Sequence, residues 1–162
     1  MEQFLAHVTV QQELWQRNVT ESTVTPQLVE RLTRVGKDLR ILVVAEDWCP
    51  DSVNTLPYIA ALASRAKVAL RIVDRSEGAS IMARHPAFDG RQVTPTVVLI
   101  REGIDVGAWV ERPIPLQKLF QSLANPESTR QFAQRQAWYD ADRGRTTLSE
   151  FVALAERTAT GR

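Results

Sequence analysis

Leu39-Arg-Ile-Leu-Val-Val-Ala45-Glu-Asp-Trp48-Cys49-Pro50-Asp51-Ser52 is the stretch on which the reading of this chain turns. From Leu39 to Ala45 the residues form a near-continuous apolar run with β-branched members, interrupted by Arg40. Such a run predicts a strand buried on both faces, as strands of parallel sheets are. The period then changes. Val53, Leu56, Ile59, Ala60, Leu62 and Ala63 recur at helical spacing and predict a helix from Pro50 to Arg65. Pro57 falls inside it, where a kink is expected. Val68 to Val73 predicts a second strand. Strand, helix and strand form a βαβ unit, which implies a parallel pair. Cys49 thus falls where a buried strand gives way to the first turn of a helix, and is expected to be at least partly accessible there.

Working outward, residues 4 to 18 read as one weakly amphipathic helix. Thr25 followed by Pro26 reads as an N-cap with proline at the first helical position, opening a helix to about Val35. Beyond the second strand come a short helix near Ala79 to Arg84 and a third strand from Thr96 to Arg101. Glu102-Gly103 turns the chain into a fourth strand, Val106 to Glu111, as an antiparallel hairpin. Leu116 to Leu123 predicts a helix on the sheet, and two more helices follow near Ser128 to Tyr139 and Leu148 to Arg157. The joints at Thr23 to Pro26, Ser76 to Gly78, Phe88 to Gly90 and Asn125-Pro126 are all short. No repeat or Gly/Ser/Pro-rich linker interrupts the chain. The expectation is one compact α/β domain over residues 1–162, with a mixed four-stranded sheet flanked by helices.

Composition narrows the function. The chain has 162 residues, 44% apolar and 24% charged, with a net charge of +1. That is enough apolar material for one core, and the balanced charge points to neither nucleic acid nor an anionic membrane as partner. The longest apolar run near the middle, Ile41 to Ala45, is far too short to span a bilayer. Met1 to Gln12 lacks a basic stretch followed by an apolar one, so no secretory signal is expected. A single cysteine rules out an intrachain disulfide and suits a reducing, cytoplasmic location. His7 and His85 have no ligand-like spacing to each other or to Cys49, so no metal is expected. In Asp140-Ala-Asp142-Arg-Gly144 the glycine comes one position early for a calcium loop, and Phe151 occupies the place of the final glutamate. That segment reads as a loop between helices. Nucleotide-binding and serine-hydrolase motifs are absent from the sequence.

Two elements carry chemistry. The first turn of a helix presents unpaired N–H groups and partial positive charge, which stabilise a thiolate at Cys49. Glu46, Asp47 and Asp51 act in the opposite direction, because nearby negative charge disfavours one. A buried, inert cysteine is the alternative; the flanking Trp48-Cys49-Pro50 pattern is hard to explain by packing. The second element is Val93-Thr94-Pro95-Thr96. A proline there cannot donate to a sheet ladder and belongs at the strand's first residue. With a cis peptide bond the preceding backbone would be free to pair with an extended substrate; a trans proline would merely begin the strand.

Taken together, the element order, Trp48-Cys49-Pro50-Asp51-Ser52 and Thr94-Pro95-Thr96 resemble the thioredoxin superfamily. More narrowly, Glu46-Asp47-Trp48-Cys49, the strand from Arg71 to Arg75 and the segment from Trp109 to Pro113 resemble a branch of bacterial thioredoxin-family proteins sharing a Glu-Asp-Trp-Cys motif. The resemblance covers about 39–123 and leaves 1–36 and 126–158 as helical extensions. It implies a thioredoxin-like fold with Cys49 as nucleophile. Ser52 stands where a thioredoxin has its resolving cysteine, and Val43 where it has a buried aspartate. A hydroxyl cannot resolve a mixed disulfide, so dithiol reduction is put aside. What the resemblance leaves is monothiol chemistry: Cys49 attacks a disulfide and an external thiol completes the exchange. The implied catalytic residues are Cys49 and Ser52, the latter as a hydrogen-bond donor to the sulfur. The implied substrate-binding residues are Trp48, Pro50, Asp51, Thr94 and Pro95. No resident cofactor is implied; glutathione or another small thiol would be co-substrate, and protein or small-molecule disulfides the partners. A non-catalytic binding module, or a redox sensor capped at Cys49 by a small thiol, are the competing readings.

Overall fold

The computed structural model describes residues 1–122 and 129–159. Its elements are α1 (Glu2–Leu5), α2 (Gln12–Glu21), α3 (Pro26–Val35), β1 (Leu39–Val44), α4 (Pro50–Arg65), β2 (Ala69–Val73), α5 (Ala79–Arg84), β3 (Thr96–Arg101), β4 (Ile104–Val110), α6 (Ile114–Gln121), α7 (Thr129–Asp142) and α8 (Arg145–Ala159). The four strands form one sheet in the order β2-β1-β3-β4. β1 and β2 are parallel, and β3 runs antiparallel to both β1 and β4. Val44 lies opposite Val73 and Thr96, and Thr96 opposite Val110. The end of β1, the start of β3 and the end of β4 therefore meet at one end of the sheet, where the β1–α4 turn carries Cys49.

One face of the sheet builds the core. Leu39, Ile41 and Val43 of β1 and Val97 and Leu99 of β3 pack with Leu56, Ile59 and Leu62 of α4, Leu32 of α3, Trp15 of α2 and Phe151 and Val152 of α8. Helices from both ends of the chain thus complete the core around α4. The other face is covered only in part. β1 was expected to be buried on both faces, yet Arg40 is exposed and Leu42 half-buried, while Val44 is buried. The reason is the length of α5, six residues, which covers only the Val44 end. Gly78, its N-cap, is pressed onto Val44: a Cβ there would come within 2.4 Å of a Val44 methyl group.

The N-terminal segment corrects the sequence reading. The single helix expected over 4–18 is split into α1 and α2. In the break, the amides of Thr9 and Val10 donate to Asp47 Oδ2 at 2.7 and 3.1 Å, and Gln11 turns into the left-handed region at φ 56°. A carboxylate supplied by the β1–α4 turn captures the N–H groups that a continuous helix would have used internally.

α4 runs through Pro57. Proline has no N–H for the carbonyl four residues back. That carbonyl, of Val53, instead accepts from Asn18 Nδ2 at 2.8 Å, and Asn18 is buried. α2 therefore satisfies the group that the proline leaves free. Thr25 caps α3 as its sequence implies, its hydroxyl accepting from the Leu28 amide. β4 ends at Val110 rather than Glu111, which takes a left-handed φ of 68°. The helix boundaries expected at Leu123 and Ser128 lie outside the described residues. Among those residues no helix is long and apolar enough to cross a membrane.

Candidate active site

β1 keeps its ladder to the Ala45 amide, which donates to the Val73 carbonyl at 3.0 Å. The chain then turns through Glu46, Asp47 and Trp48, and both carboxylates are committed to backbone amides. Glu46 Oε1 accepts from the Arg75 amide at 2.8 Å. Asp47 Oδ2 accepts from the Thr9 amide, the Thr9 hydroxyl and the Val10 amide, and its carbonyl accepts from Trp15 Nε1 at 3.0 Å. Burial raises the Asp47 pKa, but the hydrogen bonds from Thr9 and Val10 outweigh it and hold the carboxyl below its ordinary value.

This lowered pKa gives a pH signature. A carboxyl depressed in the folded state contributes stability above its unfolded value, near ~4, and loses it as pH falls through the lower folded value. Asp47→Asn should therefore lower the thermal midpoint near neutral pH, and the gap to wild type should close below about pH 4. Thermal unfolding of both proteins across an acid series checks this; a gap independent of pH would show that Asp47 is not the anchor of the N-terminal segment.

Cys49 is the N-cap of α4, with Pro50 in the first turn. Its Sγ donates to the Thr94 carbonyl oxygen at 3.0 Å. The Thr94–Pro95 peptide is cis, and Pro95 directly precedes β3. The Pro95 carbonyl in turn accepts from the Glu111 amide at 2.8 Å. Trp48, Cys49, Pro50, Thr94 and Pro95 are thus gathered at one end of the sheet. Trp48 is 51% exposed, whereas Cys49 is only 6% exposed and Thr94 and Pro95 are buried. The thiol is more enclosed than the strand-to-helix transition implies, because the loop before β3 lies over it.

Two site candidates have surroundings other than those expected. Ser52 is wholly buried, and its Oγ has no hydrogen-bond partner. It makes no bond to Cys49, whose thiol donates to the Thr94 carbonyl instead. Asp51 is buried and turned into the protein, not toward a ligand. Its Oδ2 accepts from Arg112 Nη2 at 2.8 Å, its Oδ1 from the Tyr139 hydroxyl at 2.6 Å, and Arg135 Nη1 lies 3.8 Å away. The reason is geometric: the side chain of the second helical residue points away from that of the cap, toward β4 and α7.

The residues around Asp51 escaped sequence reasoning. Arg112 Nη2 also donates to Glu111 Oε1 at 2.6 Å, which accepts from Arg91 Nη2 at 3.2 Å. The Arg112 guanidinium lies 4.6 Å from the centroid of the Phe120 ring. Burial raises the Tyr139 pKa well above that of a free phenol, and the Asp51 charge and hydrogen bond raise it further. Tyr139 therefore stays a neutral donor. In the sequence the one local sign of this cluster is Glu111-Arg112, adjacent opposite charges at a strand end.

His85 lies at the opposite end of the sheet from Cys49. Its Nε2 is 2.6 Å from Asp105 Oδ2, and Asp105 pairs with Ile100, itself opposite Arg40. In the segment weighed as a calcium loop, Asp140 pairs with Arg17 and Asp142 accepts from the Thr146 amide and hydroxyl.

A parallel βα unit with a cysteine capping its helix, a β2-β1-β3-β4 sheet and a cis-proline loop over the sulfur define a thioredoxin-fold protein with one thiol. A sequence model of a thioredoxin family matches residues 1–126, and the chain belongs to that family. The match takes in α1 to α3, so these helices fall within the family's extent and not outside it. Among solved structures, a Pseudomonas aeruginosa protein of unknown function is similar, with a TM-score of 0.74 and 22% identity over 96% of this chain and 90% of that one. An HIV epitope-scaffold is similar too, with a TM-score of 0.72 and 20% identity over 96% of this chain and 91% of that one. At these identities the likeness is one of fold. No curated protein matches the chain.

Proposed function

We propose that this protein is a monothiol thiol–disulfide oxidoreductase, of the Glu-Asp-Trp-Cys branch, with Cys49 as its nucleophile. The observation that carries the reading is the placement of the chain's single thiol at the N-cap of α4, hydrogen-bonded to the Thr94 carbonyl beside Pro95. A helix N-terminus favours the thiolate. The Cys49 proton leaves to solvent. The thiolate attacks one sulfur of a disulfide, forms a mixed disulfide with it and expels the other sulfur as a thiolate. With no second thiol in the chain, an external thiolate must attack the adduct, regenerating Cys49 and leaving as part of a new disulfide. Glutathione or a similar small thiol, abundant in a reducing cytoplasm, suits that role. Ser52 lies three residues along the same helix, on the side that carries Cys49. Its partnerless hydroxyl is available as a donor to the thiolate once the bond to Thr94 is lost. Trp48, Pro50, Thr94 and Pro95 would line the approach of the disulfide.

Intact-mass analysis after incubation with oxidised glutathione tests the reading. Wild type is expected to gain one glutathione and Cys49→Ala none, and excess thiol should then drive repeated deglutathionylation of a peptide. The low exposure of Cys49 beside an exposed Trp48 favours, as second reading, a non-catalytic binding module. Native protein that stays unmodified while unfolded protein reacts would establish that second reading in place of the first.

A further inference from the structure

Arg112 joins the two halves of the candidate site, and we propose that it is a positioning residue that sets the reactivity of Cys49 by neutralising Asp51 and Glu111. The inference rests on reading Cys49 as the nucleophile. Arg112 is 9% exposed, and its single Nη2 bridges Asp51 Oδ2 at 2.8 Å and Glu111 Oε1 at 2.6 Å. Asp51 is the second residue of the helix that Cys49 caps. Glu111 reaches the thiol by another route: its amide donates to the Pro95 carbonyl, and the adjacent Thr94 carbonyl holds Sγ.

A buried ion pair is weak evidence of a stabilising purpose, because apolar residues of similar volume often serve as well. Its location is the informative feature. Two buried carboxylates beside a helix N-terminus would oppose a thiolate at the cap. On this flank the turn after β4 supplies Glu111 and Arg112, the loop before β3 supplies Arg91 with its partner Asp89, and α7 supplies Arg135 and the neutral Tyr139. Arg91 is also held by Asp89 at 2.6 Å, so three carboxylates face three guanidiniums and the flank is balanced in charge. On the other flank Glu46 and Asp47 are held by the amides of Arg75, Thr9 and Val10. Of the three guanidiniums, Arg91 is 56% exposed and Arg135 stands 3.8 Å from Asp51, so Arg112 contributes the closest and least screened compensation.

The test is the rate of Cys49 alkylation by iodoacetamide at about pH 7, where a one-unit change in thiol ionisation reads as about tenfold. Arg112→Met should react about tenfold more slowly than wild type, and Arg112→Lys within about threefold of it. Adding Asp51→Asn to Arg112→Met should restore most of the rate, which a purely structural role would not do. Asp51→Asn alone should react faster than wild type, and this arm decides the matter if Arg112→Met does not fold. A native-like Arg112→Met with the wild-type rate, a double variant no faster than Arg112→Met, or a slower Asp51→Asn would each overturn the proposal. Alkylation uses no disulfide, so failure of glutathione exchange would leave this result standing, and failure here would leave the exchange chemistry untouched.

Discussion

Asp51→Ala is expected to lower the stability of the folded chain by about 3–5 kcal/mol, the range for removing one member of a buried ion pair. The carboxylate accepts from the Arg112 guanidinium and the Tyr139 hydroxyl and faces Arg135. Alanine would leave the hydroxyl without its acceptor in a site that excludes water. It would also leave Arg135 without this counterion, while Arg112 keeps Glu111. The consequence extends beyond α4. Asp51 is where α7 and the end of β4 are joined to the helix that carries Cys49, so its loss should loosen the C-terminal helices first. Tyr139→Phe removes one hydrogen bond and should cost about 1–2 kcal/mol. Urea unfolding of the three proteins measures both. A loss below about 1 kcal/mol for Asp51→Ala would mean that Asp51 does not hold these elements together.

Gly144→Ala should be nearly as costly, for a steric reason. Gly144 joins α7 to α8 at φ 76°, and a Cβ there would lie 2.4 Å from two ring atoms of Tyr58. Tyr58 belongs to α4 and is buried, so its ring has little room to yield. The left-handed backbone costs an alanine about 1 kcal/mol. Forcing the overlap adds about 1–3 kcal/mol, a total of roughly 2–4 kcal/mol. For a chain of this length that corresponds to a fall of roughly 4–16 °C in the thermal midpoint. Gly103→Ala is the control. Gly103 has φ 81° with nothing within 4 Å of a Cβ, so only the backbone cost of about 1 kcal/mol applies. Equal falls for the two variants would mean that the close approach to Tyr58 is not what Gly144 provides.

These predictions concern residues to which local patterns give little access. β1, α4, β3 and the start of α3 were legible because a period, a cap or a proline announces each within a few neighbouring residues. α1 and α2 were not, because an acceptor in the β1–α4 turn breaks the helix, and it lies 37 and 38 residues from the amides it takes. The partners of Asp51 are 61 and 88 residues away. In the sequence Asp51 is one acid among three near a thiol. In the fold it is a buried anion with its own cations, and Glu46 and Asp47 are spent on amides.

By itself, the sequence determined that one thiol exists, that it stands between a strand and a helix, that Pro95 stands just before the third strand, and that position 52 can supply no second sulfur. These follow from residue identity and short-range period, which the chain carries whatever surrounds it. Tertiary structure alone decided that the Thr94 carbonyl accepts the Cys49 hydrogen bond, that the loop before β3 encloses the sulfur, and that Arg112 gathers two carboxylates beside the helix that Cys49 caps. Each depends on groups far apart in the chain. Periodicity tells which side of a helix or strand a residue occupies, but hydrogen bonding and burial depend on what the fold brings against that side.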